Sequence, residues 1–167
     1  MKNRIITIGK KILVGKHLEM SYNNDKTREL WQSFMPQRRK IHNRVDALYY
    51  SMQIYPERMD YKTFAPSISF TKWAAVEVSN LNTLPNEMDS YILEGGTYTV
   101  FTHIGPASTF AKSMYYIHEI WLPKSEYVID DREHFELLQE DYNPMDEYAT
   151  EEIWIPVKLK KRIKKNG

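Results

Sequence analysis

Hydrophobic residues recur along this chain with two periods. In PASTFAKSMYYIHEIWLP, Phe110, Met114, Ile117 and Trp121 fall at i, i+4, i+7 and i+11, one helical stripe bounded by Pro106 and Pro123. In NNDKTRELWQSFMP the stripe is Thr27, Leu30, Trp31, Phe34 and Met35, with Asn24 or Asp25 able to cap the start and Pro36 marking a stop or kink. Elsewhere the period is two. Residues 11–22, 48–55, 70–79, 98–104, 134–140 and 152–157 alternate and are rich in Val, Ile, Tyr and Phe, which predicts six strands. Turn residues separate them, among them Tyr55-Pro56, Ala65-Pro66, Gly95-Gly96 and Asn143-Pro144.

These elements repeat. A strand with His17, a helix carrying Trp31 and Pro36, a strand ending at Pro56 and a strand with Trp73 are followed by the same series at His103, Trp121 and Pro123, Pro144 and Trp154. Corresponding landmarks lie roughly 81 to 90 residues apart, which fits one strand-helix-strand-strand unit used twice. The predicted fold is α+β: two modules in pseudo-two-fold relation, residues 4–80 and 88–157, forming a mainly antiparallel sheet with helices on one side and a concave groove. Residues 1–157 are expected to make one domain, and 158–167 a basic tail.

Alternation then assigns faces, because successive strand side chains point opposite ways. In FTKWAAVEVS, Val76 and Val78 suit a helix stripe, which sends Trp73, Ala75 and Glu77 to the other side. In EIWIPV, Ile153, Ile155 and Val157 take the helix side and leave Trp154 opposite. Placing Phe135 and Leu137 on the helix side turns Glu136 toward the groove. The same reading gives Phe101 and His103 from YTVFTHI, and Tyr49, Ser51 and Gln53 from LYYSMQIY. One surface is thus expected to collect Trp73, Trp154, Phe101, Tyr49, His103 and Glu136. A carboxylate among aromatic faces suits an apolar cation, since the rings supply dispersion and cation-π attraction and the acid supplies the counter-charge.

Composition narrows the function classes. The chain has 167 residues, enough for one compact core. It has no cysteine, which excludes thiol catalysis, disulfides and thiolate metal sites, and its five histidines form no HxH or HExxH pair. Neither a metal nor a cofactor is expected. Net charge is +1, far from the basic balance of a dedicated nucleic-acid binder, so direct sequence-specific DNA binding is not expected. Half of the 22 acidic residues lie between Glu126 and Glu152, followed by the basic KLKKRIKKNG. No run is long enough to span a membrane and no signal peptide is evident, so a cytoplasmic location is the expectation.

The run YTVFTHIGP, the helix ending IWLPKSEY, then DDREHFELL and EEIWIPV resemble the GyrI-like small-molecule-binding domain, the effector-binding domain of AraC-type regulators within the SHS2-module superfamily. It is also related to the domain of multidrug-sensing MerR-type regulators. Upstream, LVGKHLEMS, ELWQSFMP, SMQIYP and KWAAVEVS resemble the first half of a subgroup of that family. The resemblance implies a stand-alone effector-binding module without a helix-turn-helix segment, linked to transcription regulation or drug response. It also implies that Glu136 matches the acidic residue that contacts cationic effectors, with Leu138 where an aromatic often follows. Binding of an amphipathic, cationic or aromatic small molecule is expected rather than catalysis. The alternatives are a module that binds a protein partner such as gyrase or a regulator, and a hydrolase of cyclopropane-bearing electrophiles using Glu136 as general base with Tyr49 or His103 assisting.

Overall fold

The computed structural model describes residues 1–161. Nine strands form a sheet paired antiparallel throughout: β1 (Asn3–Ile8), β2 (Lys11–Met20), β3 (Tyr49–Ile54), β4 (Phe70–Val78), β5 (Asp89–Leu93), β6 (Gly96–Ile104), β7 (Tyr127–Ile129), β8 (His134–Leu138) and β9 (Thr150–Leu159). Eight of them follow the path β1-β6-β9-β8-β3-β4-β2-β5, and β7 pairs the last three residues of β9. Helix α1 (Thr27–Phe34) runs on into a 3₁₀ turn, Met35–Lys40, with Pro36 as its second residue. Helix α2 (Phe110–Tyr115) follows a short 3₁₀ turn, becomes a π-helical turn over Tyr116–Trp121 and ends with Leu122–Lys124.

From its centre the path reads the same outward in both directions. β3-β4-β2 mirrors β8-β9-β6, and each triplet is joined in chain order as strand, helix, strand, strand. The expected α+β fold, with two such units, a mainly antiparallel sheet and both helices on one side, is the fold found. β1, β5 and β7 were not predicted. β1 and β5 are exposed edge strands with few buried positions, and β7 is only three residues long. β9 runs to Leu159, two residues into the stretch read as a tail; residues 162–167 of that stretch lie outside the described residues.

The helix stripes meet the sheet as their spacing requires. Leu30 and Phe34 of α1 pack on Val14, Ala74, Val76 and Val78. The helix starts after Lys26 without a side-chain cap: Asp25 stands one residue too early, its Oδ1 accepting from the Thr27 backbone N–H at 2.9 Å in a turn that leads into the helix, so the cap expected from Asn24 or Asp25 does not form. Phe110, Met114, Ile117 and Trp121 all reach one cluster with Phe101, Ile153, Ile155 and Val157.

Among the described residues no helix covers the other face, yet it is equally dry. Tyr50, Met52, Trp73, Tyr98, Val100, Phe135 and Trp154 are buried there in one cluster to which every strand except β7 contributes. The connections explain how. β1 joins β2, and β5 joins β6, through two residues each, although each joined pair lies six strand positions apart along the path. Six spacings would hold them nearly 30 Å apart in a flat sheet, whereas two residues span only about 10 Å. The sheet therefore curls until its ends meet, and the enclosed face becomes a core in which each large side chain contributes about 1.5 to 3 kcal/mol of burial.

The two links cross at Gly95, whose φ is +90° and where a Cβ would run into the carbonyls of Ile8 and Gly9. Gly95→Ala is expected to lower stability by about 1 to 3 kcal/mol, through strain and steric overlap together. A Cβ at Gly9, in the opposite link, meets nothing within 4 Å, so Gly9→Ala should stay within about 0.5 kcal/mol of the parent. Urea unfolding midpoints at constant slope measure both, and equal effects would contradict the crossing.

Candidate functional site

Cross-strand partners point to the same face, so the register fixes which residues can meet. Ser51 opposes both Ala74 and Glu136, Glu136 opposes Ile153, and Ile153 opposes Phe101; this row lies under the helices. In the adjacent row Met52 opposes Trp73 and Phe135, and Phe135 opposes Trp154; this row lies in the enclosed core. The single surface expected from alternation is therefore corrected. Tyr49, Phe101, His103 and Glu136 are on the helix face, while Trp73 and Trp154 are on the opposite one. Phe135 and Leu137 misled the assignment because both faces are apolar: they pack on Tyr50, Tyr98 and Trp154, not on a helix.

Between the N-terminal end of α1, the start of α2 and the floor strands lies a cavity of about 150 Å³. Met20, Tyr22, Phe70, Phe110, Met114 and Ile155 give it an apolar and aromatic wall. Its polar lining comes from Asp25, Gln53, Tyr55, Lys72, His134 and Glu136. The register explains this concentration. Lys72, Gln53 and His134 form one row across β4, β3 and β8, and Glu136 follows His134 by two on the same face.

The six expected residues separate clearly. Glu136 lines the cavity. Tyr49 is buried beneath α1, edge-on to Trp31 and Phe34, with the Arg44 guanidinium 4.7 Å from its ring centre. Phe101 is fully buried behind α2 against Trp121, and His103 Nδ1 lies 2.7 Å from Ser113 Oγ. Trp154 stacks on Phe135 and Trp73 stacks on His17, both in the enclosed core. None of these five lines the cavity.

Its electrostatics follow from burial. Glu136 accepts one side-chain hydrogen bond, from Gln53 Nε2 at 3.1 Å; burial pushes its carboxyl above the usual range, opposed by Lys72 and Gln53. Lys72 is 6% exposed and, among the described residues, its ammonium makes no hydrogen bond or ion pair; burial lowers its affinity for a proton. His134 is pushed down to about 3 by burial, then by the neighbouring His118 and Arg132, and is neutral at physiological pH. Glu151, on the same face of β9, is pushed up to about 7 by burial and by the charge of Glu136. At the rim, the hydroxyls of Tyr22 and Tyr55 are 2.8 Å apart. Sequence reasoning missed Tyr22, Tyr55, His134 and Lys72. For Lys72 the signal was present: a lysine within FTKWAAV, in a strand buried on both faces, has to point either into a core or into a cavity.

Among the described residues no group of three or more His, Asp or Glu is placed to hold a metal ion. No helix among them is long and apolar enough to cross a membrane.

No curated protein matches this chain by sequence. Among solved structures it is similar to a putative bacterial transcription regulation protein from Staphylococcus aureus MU50, with TM-score 0.66 and 19% identity over 95% of this chain and 99% of that one. SAV2435 bound to tetraphenylphosphonium gives 0.64 and 20% over 95% and 94%. The EcmrR C-terminal domain gives 0.67 and 14% over 95% and 98%. At these identities the likeness shows the fold. The GyrI-like small molecule binding domain matches residues 1–158, which takes in both helices and every strand but for the last residue of β9, and the chain belongs to that family.

Proposed function

We propose that this chain is a cytoplasmic sensing or sequestering module that binds an amphipathic small molecule, cationic or aromatic, in the cavity between α1 and α2, and that it serves transcription regulation or drug response. The observation that carries the reading is Glu136: a carboxylate on the floor of an aromatic-walled cavity with a single side-chain hydrogen bond. A desolvated acid in that position gains most from a ligand that brings its own positive charge without a tight hydration shell. SAV2435 carries tetraphenylphosphonium, a cation of that kind, and the likeness to EcmrR and to a transcription regulation protein supports the regulatory half.

The dimensions shape the ligand. A cavity of about 150 Å³ accepts one benzene-sized group, so a multi-ring ligand must part the ends of α1 and α2. Phe110, Met114 and Thr27 are the side chains that would move, and Met114 adapts its shape easily. Lys72 sets this site apart from a plain cation trap. Burial draws its amine toward the neutral form, against the pull of the neighbouring acids Glu136, Asp25 and Glu151.

Glu136→Gln should weaken binding of tetraphenylphosphonium by on the order of 1 to 3 kcal/mol while sparing a neutral aromatic of similar size, as expected for loss of a charge-assisted contact. Calorimetric titration of both ligands checks it, and equal losses would make the effect structural. Trp73→Phe and Trp154→Phe lie on the far face and should leave both affinities unchanged while lowering the unfolding midpoint.

The pH dependence has a definite sign. Glu151 holds its proton up to about 7, and a bound cation favours the ionised carboxylate, so cation affinity rises with pH through 7 and binding releases protons. Titrations in buffers of different ionisation enthalpy measure that release. Glu151→Gln should flatten the profile near pH 7; an unchanged profile would assign the linkage elsewhere.

A further inference from the structure

A buried lysine without a partner is uncommon, and the surroundings of Lys72 give it a chemistry. Its side chain reaches the cavity from near the start of β4, flanked by Phe70 and, across the sheet, by Leu18 and Gln53. Among the described residues nothing accepts a hydrogen bond from its amine, and no carboxylate lies within ion-pair distance. Gln53 stands beside it and binds the Glu136 carboxyl at 3.1 Å, so amine, amide and acid share one floor. An amine in an apolar cavity next to an acid that can take and return a proton has what carbonyl addition requires.

We propose that the cavity captures small aldehydes covalently, as an imine on Lys72 Nζ. The inference rests on the reading of this cavity as a small-molecule site. Burial draws the Lys72 amine toward its neutral form and the Glu136 carboxyl toward its protonated one, against the attraction between the two, and proton exchange between them reaches the pair that addition starts from. The nitrogen lone pair forms a bond to the carbonyl carbon while the C=O π pair moves to oxygen, which takes the proton of Glu136. The nitrogen then returns a proton to Glu136, leaving a neutral carbinolamine. Next the nitrogen lone pair forms the C=N bond as the hydroxyl, protonated by Glu136, departs as water. The product is an iminium ion facing the Glu136 carboxylate. Atoms and charge balance without any other reagent. The apolar wall of Phe70, Phe110, Met114 and Ile155 seats the aldehyde's hydrocarbon part and limits access of the water that would reverse the reaction.

The test uses the whole chain with benzaldehyde as the probe and cyanoborohydride to reduce any imine to a stable benzylamine, mapped by peptide mass spectrometry. Lys72 should be labelled faster than the exposed Lys112, because burial raises the neutral fraction of its amine and the cavity wall holds the aldehyde beside it. Lys72→Arg should remove that label and leave labelling of Lys112 intact. Glu136→Gln should slow labelling of Lys72 alone. Preloading the unmodified chain with tetraphenylphosphonium should protect Lys72, a second measurement that needs no variant. Labelling of Lys72 no faster than that of Lys112 overturns the proposal. If the cation still binds in that case, the covalent inference falls and the non-covalent reading stands; if Lys72 is labelled selectively but no cation binds, the reverse holds.

Discussion

β1 and β2 are consecutive in the chain but six places apart in the sheet, and so are β5 and β6. Both two-residue links can be made only if the sheet bends back on itself, and bending encloses one whole face. The remaining architecture follows from that closure. It buries Tyr98, Phe135, Trp154 and Trp73 without any covering helix, and frees both helices to pack side by side on the other face. Arg132 secures the crossing: its Nη1 donates to the Gly95 carbonyl at 3.1 Å, its Nε donates to Asp130 at 2.8 Å, and its guanidinium lies 4.7 Å from the Tyr98 ring centre.

Each floor strand consequently serves two interiors at once. In β3, Tyr50 and Met52 belong to the enclosed core and Gln53 to the cavity; in β8, Phe135 and Leu137 are core and Glu136 is cavity. This division lets the cavity floor carry poorly compensated polar groups. A buried acid and amine held beyond ion-pair distance cost stability, and that cost is tolerable because the opposite face of the same strands is closely packed. It also fixes the geometry, since a floor residue cannot shift without its neighbours disturbing an aromatic cluster.

The helices, the six principal strands and the repeat were legible because each rests on local periodicity: 3.6 for the stripes of Trp31 and Trp121, two for the strands. Glu136 was legible as an acid in an apolar alternation. Face assignment failed at Phe135 and Leu137 because alternation separates faces only when one of them is polar, and here both are dry. Only register, a long-range property, distinguishes them: Phe135 lies opposite Met52, and Glu136 opposite Ser51. The edge strands β1 and β5 were illegible for the same reason, since their partners are about half the domain away in sequence. The π-helical turn left no trace in the stripe, because Ile117 and Trp121 keep their cluster despite the wider turn.

The exchange of lead strands bears on ancestry. β1 belongs by sequence to the first unit but completes the second, and β5 does the converse. A single unit standing alone would have its lead strand extended with nothing to pair with and its inner aromatic face open to water. Two identical copies would cure both defects by trading lead strands, as an intertwined homodimer does. Duplication and fusion of one gene segment would turn that dimer into this chain, after which the two halves were free to diverge. The lysine and the glutamate of the cavity floor, one from each half, are then a product of lost symmetry.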